Sequence, residues 1–157
     1  MRVAYWLMKS EPDVYSIDDL VRSGKPSLWE GCRNYTVRNF FRDAMRVGDL
    51  AFFYHSNAVP SGIVGTMRIA SAAYPDPTQF DPTGEYFDPK SPAESPRWLA
   101  VDVEPVEKFL RVVPLAELRE VPALGEMLVI RRGQRLSVMP VTESEWETVM
   151  SLPGLRS

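Results

Sequence analysis

At 157 residues, 45% hydrophobic and 25% charged, the chain has an ordinary globular composition and is long enough to close one core without disulfides or a structural metal. One cysteine, Cys32, and one histidine, His55, exclude an internal disulfide and a Cys/His zinc cluster, and they point to a reducing, cytoplasmic setting. A net charge of −3 and a pI near 5.3 exclude bulk coating of nucleic acid or of an anionic membrane, so any nucleic-acid contact has to be a local site.

Tyr5 to Met8 is a short apolar run ended by Lys9-Ser10-Glu11-Pro12, which predicts a buried first strand whose polar end opens into a loop. No basic segment with an apolar run and cleavage site precedes it, so no export signal is expected. Ser16 stands before Ile17-Asp18-Asp19-Leu20-Val21, with an acid three residues on and Gly24 behind, the pattern of a short capped helix. Val37, Phe40, Phe41, Ala44 and Met45 form one apolar stripe and predict an amphipathic helix from Asn34 to Met45. Leu50 to Met67 is the longest uncharged stretch, but its central His55, Ser56, Asn57, Pro60, Ser61 and Gly62 rule out a spanning helix. It predicts two strands, Leu50 to His55 and Gly62 to Ile69, joined by a loop.

Between Pro75 and Pro96, six of the 14 prolines fall within 22 residues, which predicts a long irregular surface loop. Trp98 to Val106 then reads as a strand, Leu115 to Glu120 as a helical turn and Leu136 to Val141 as a further strand. Thr142 and Glu145 make a capping box for a last helix, Glu143 to Met150. About five or six short strands with three or four short helices, not in strict alternation, predict an α+β or small-barrel fold in a single domain over 1–157.

The chain has no glycine-rich phosphate loop, no Gly-x-Ser-x-Gly elbow and no pair of histidines at ligand spacing. A Cys32 nucleophile with His55 as base and Glu11 or Asp49 to orient it is one arrangement; Cys32 as a small packing residue is the other. Trp29-Glu30-Gly31-Cys32-Arg33-Asn34-Tyr35 combines an aromatic face, a permissive glycine and hydrogen-bonding side chains, and suits a planar ligand. The same residues also suit an aromatic core plug with Asn34 as helix cap. Lys9-Ser10-Glu11 and His55-Ser56-Asn57 form a polar pocket mouth if their strands are neighbours; otherwise the serines and the histidine satisfy local backbone. Arg131, Arg132 and Arg135 form a basic turn, either a phosphate contact or a solvated face, and with Arg33, Arg38 and Arg42 they make one local basic rim.

In their order these segments resemble the EVE domain family. The resemblance rests on Tyr5 to Pro12, on Trp29 to Tyr35 with Arg38-Asn39-Phe40, and on Gly48-Asp49 through Phe52-Phe53-Tyr54-His55-Ser56. It continues through Gly62-Ile63-Val64-Gly65, Tyr74-Pro75-Asp76 with Gln79-Phe80-Asp81, Tyr86 to Lys90, Trp98 with Val101-Asp102-Val103, and Leu136-Ser137-Val138 with Pro140-Val141. It implies a PUA-like mixed-strand pseudobarrel flanked by short helices, in the superfamily of the YTH and SRA readers of methylated bases. The family's pocket positions fall on Trp6, Lys9, Ser10, Trp29, Arg33, Asn34, Tyr35, His55 and Ser56, with Arg131, Arg132 and Arg135 left for the nucleic-acid backbone. Cys32 departs from the family pattern, where valine is expected.

The function so implied is a non-enzymatic, cytoplasmic, monomeric reader that takes a methylated or hydroxymethylated flipped base of DNA or RNA. It needs neither cofactor, metal nor membrane, and it is open to functional association with a nuclease. The alternative is a nucleoside-like small-molecule binder or a weak hydrolase using His55.

Overall fold

The computed structural model describes residues 3–157, so Met1 and Arg2 of the expected domain lie outside the described residues. Seven strands form one mixed sheet curled into a half-barrel: β1 (Tyr5–Ser10), β2 (Ser27–Trp29), β3 (Leu50–His55), β4 (Gly62–Ile69), β5 (Tyr74–Pro75), β6 (Leu99–Pro114) and β7 (Val138–Val141). Their order is β2-β6-β4-β3-β1-β7, with β5 on a separate stretch of β6. All pairs are antiparallel except β1 with β3, which runs parallel in the register Ser10 opposite His55.

Alternation along the central strands puts one apolar set on each face of the sheet. Trp6, Met8, Ala51 and Phe53 join one buried cluster, and Leu7, Phe52 and Tyr54 the other. The first cluster is closed by Ile17 and Leu20 of α1 (Ile17–Ser23), by Val37 of α2 (Tyr35–Asn39) and by Phe41. The second is closed by Leu118 of α3 (Leu115–Glu120) and by Trp146 and Val149 of α4 (Glu143–Met150). Burying each such large apolar side chain contributes roughly 1.5–3 kcal/mol, so both faces hold the sheet.

The capping signals appear as read. Ser16 and Asp19 cap α1 reciprocally and Gly24 ends it in the left-handed conformation, while Thr142 and Glu145 form the same box on α4. The single helix expected from Asn34 to Met45 is instead α2 followed by a π turn, Phe40–Ala44, in which Met45 N–H donates to the Phe40 carbonyl at 2.8 Å. The wider turn keeps Phe41 and Met45 inward and leaves Ala44 exposed. The strand expected from Trp98 to Val106 is longer: Pro105 pairs with Met67, β6 bulges at Val106 opposite Thr66 and Met67, and it then continues to Pro114. At Gly62 and Gly65 a Cβ would run into the Val113 and Glu107 carbonyls, so glycine permits this close approach of β4 and β6. The proline-rich segment is irregular apart from β5 and a 3-10 turn, Pro77–Phe80.

Candidate functional site

Because β1 and β3 are parallel neighbours, they end at one level, and Ser56 N–H donates to the Ser10 carbonyl at 3.0 Å. The two polar strand ends therefore do form one mouth. Beside it lies a cavity of about 840 Å³, walled by Lys9, Ser10, Tyr15, Ser56 and Ser137, by Lys25 through Cys32, and by Glu85, Tyr86 and Arg135.

One wall is the turn after β2. Trp29 is 6% exposed and sets its ring edge-on against Phe53, centroids 5.3 Å apart, so it is both core and cavity wall. Gly31 follows with φ +83, and a Cβ there would stand 2.6 Å from the Tyr86 ring. Only glycine lets that ring lie on the turn. Gly31 N–H and the Arg33 guanidinium both donate to Asp76 Oδ2, at 2.8 and 3.0 Å. Burial pushes the Asp76 carboxyl up, but donors from Thr78, Gly31 and Arg33 outweigh it and hold the pKa below its ordinary value. Asp76 is fully buried and belongs to the proline-rich loop, so this knot ties the loop to the turn.

Several residues expected in the pocket do other work. Arg33 also donates to the Tyr86 carbonyl, to Thr78 Oγ1 and to its neighbour's carbonyl, which commits its guanidinium within the protein. Asn34 Oδ1 accepts the Thr36 and Val37 N–H groups as the N-cap of α2. Trp6 is buried, with its indole N–H donating to Asp49 at 3.0 Å. Tyr35 lies outside the cavity wall, half-exposed, with Trp98 4.9 Å away on one side and Arg38 4.7 Å away over its ring.

His55 Nε2 accepts the Ile17 N–H at 3.1 Å, which fixes a neutral tautomer at the start of α1. Burial lowers its pKa, with Asp18 opposing. Cys32 does line the cavity, but burial pushes its thiol up to about 11, and its polar contact is Ser137 Oγ at 3.9 Å. Asp49 serves Trp6, Ala4 and Arg46, and Glu11 is held by Asn57. The expected nucleophile, base and orienting acid are thus separately engaged, and the thiol stays protonated near neutral pH. Cys32 and His55 therefore do not form a nucleophile–base pair. Among the described residues no group of three His, Cys, Asp or Glu side chains converges as a metal site, and no helix is long and apolar enough to cross a membrane.

The basic turn divides. Arg135 reaches the cavity wall, Arg131 is paired with Glu126 at 3.2 Å, and Arg132 lies exposed off the wall. Much of the wall escaped the sequence reading of the pocket, Tyr15, Tyr86 and Lys25 among it. Tyr15 has a buried hydroxyl with no partner among the described residues, Tyr86 arrives from 55 positions beyond Gly31, and Lys25 stands where only a helix stop was visible. Glu30 is also on the wall. Burial raises its pKa, the Asp76 charge adds to that, and Arg33 opposes it.

Over residues 4–152 the chain matches the family described as EVE domain. It is 43% identical to human thymocyte nuclear protein 1 over 95% of this chain and 73% of that protein. Among solved structures, a Pseudomonas putida protein is 50% identical, with a TM-score of 0.90 over 94% of this chain and 98% of the other. Human THYN1 crystallised with DNA containing 5-methylcytosine is 42% identical, with a TM-score of 0.88 over 94% and 96%. The half-barrel is the fold of these neighbours.

Proposed function

The chain belongs to the EVE domain family, and on that premise we propose that it is a non-enzymatic reader of methylated cytosine in DNA, which takes the flipped base into the cavity beside Trp29. The observation that carries this reading is the cavity itself: its volume of about 840 Å³ admits a nucleobase, Trp29 and Tyr86 give it aromatic walls, and hydrogen-bonding groups sit among them. The likeness to a protein crystallised with 5-methylcytosine DNA supports the choice of mark.

The energies are compatible. Flipping a base costs a few kcal/mol, stacking on an aromatic returns roughly 1–3 kcal/mol, and base-edge hydrogen bonds supply the remainder. Lys9, Lys25 and Arg135 form no ion pair among the described residues and stand at the wall, where a phosphate backbone entering the mouth would pass. A methyl group covered by an aromatic wall adds about 0.8 kcal/mol, or about fourfold in affinity. Tryptophan-fluorescence titrations with duplexes differing by one cytosine methyl test this. The methylated duplex should bind about fourfold tighter or better; equal affinity for the two duplexes would overturn the reading.

A further inference from the structure

Several polar side chains of the cavity wall are already engaged within the protein. Ser10 Oγ donates to the Tyr15 carbonyl at 2.6 Å, Glu11 is taken by Asn57, and Glu85 stands beside the Tyr86 hydroxyl, raising its pKa along with burial. Besides the cations Lys9, Lys25 and Arg135, which only donate, the wall groups without a hydrogen-bond partner among the described residues include the Glu30 carboxylate, Ser56 Oγ and Tyr15 Oη, the last of them fully buried; Glu30 is the one acid in that set. An ionised carboxylate only accepts, whereas a hydroxyl donates or accepts as required.

Cytosine and thymine present different edges to such a set. Cytosine shows an amino donor at N4 beside acceptors at N3 and O2; thymine shows an acceptor at O4, a donor at N3 and an acceptor at O2. The Ser56 hydroxyl suits both bases. The carboxylate suits only the amino group, because opposite O4 it would set two acceptors against each other in a partly desolvated place.

Resting on the reading of the cavity as the base pocket, we propose that Glu30 is the residue that selects cytosine over thymine, by accepting the N4 amino group. Thymine carries the same 5-methyl group as 5-methylcytosine, so aromatic coverage of the methyl cannot separate them. Without an acceptor-only group at this place, the site would read methyl and lose base identity. Glu30 is exposed enough to be replaced without opening the core, and it forms no internal bond whose loss would unfold the turn.

The test uses the full chain and three duplexes carrying 5-methylcytosine, thymine or cytosine at one position opposite an abasic site, so that no base is held by a pair. Wild type should prefer 5-methylcytosine to thymine by roughly 5- to 100-fold, the range one good base-edge contact supplies. Glu30→Gln, whose amide can donate to O4, should bind 5-methylcytosine and thymine within about threefold of each other while keeping its preference for 5-methylcytosine over cytosine. If Glu30→Gln retains the wild-type discrimination, or if wild type shows none between 5-methylcytosine and thymine, Glu30 is not the selector and methyl reading stands. If wild type does not distinguish 5-methylcytosine from cytosine, the pocket reading itself fails.

Discussion

Arg33 shows how a residue of the right type beside the pocket is used to build it. Its guanidinium binds two backbone carbonyls, Thr78 Oγ1 and the fully buried Asp76 carboxylate, and its planar group lies 5.6 Å from the Tyr86 ring centre and 5.8 Å from that of Trp98. Removing one partner of a buried ion pair leaves an uncompensated charge, so Arg33→Ala should cost about 3–5 kcal/mol in urea unfolding, and Arg33→Lys should rescue little because a point charge cannot span the same acceptors. A loss under 1 kcal/mol would contradict that role. Trp29, Ser10, Ser56 and the strand-end cluster were legible in the sequence because each lies beside a recognisable strand end or turn. The committed roles of Arg33 and Asn34 were not, since a side chain's type does not disclose whether its partner is a ligand, an amide two residues on, or an acid 43 positions away.

At the scale of elements, the local signals held where the cause was local. The boxes on α1 and α4 and the extent of α3 and α4 follow from residues within three or four positions. β2, β5 and the far half of β6 depend on partners distant in sequence, and Pro105 with the charges around it hides a strand that bulges at Val106 and runs on along β4. The start of α1 carries a pH-dependent bond. Its first amide donates to His55 Nε2, which requires the neutral ring, and burial lowers that ring's pKa. The unfolded chain therefore binds the proton more readily, so this stability is full above the ordinary imidazole pKa of about 6.5 and is lost as pH falls below it. The thermal midpoint should drop between about pH 7.5 and 5.5, and His55→Gln, which keeps an acceptor without titrating, should flatten that drop. An equal drop in the variant would exclude His55 as its source.

For the whole molecule, the parallel pairing of β1 and β3 and the Arg33–Asp76 knot have one joint effect. They bring two strand ends, the Trp29 turn and a proline-rich loop around a single cavity, on a protein whose overall charge is −3. On the proposed reading, binding is decided by shape and edge chemistry inside that cavity, with Lys9, Lys25 and Arg135 supplying local attraction that the net charge does not. The most direct measurement is an NMR experiment on a duplex whose single 5-methylcytosine carries a ¹³C-labelled methyl, bound to the full chain. Nuclear Overhauser contacts from that methyl to the ring protons of Trp29 or Tyr86 are predicted. A complex in which the methyl contacts only its stacked neighbours within the DNA would contradict the account.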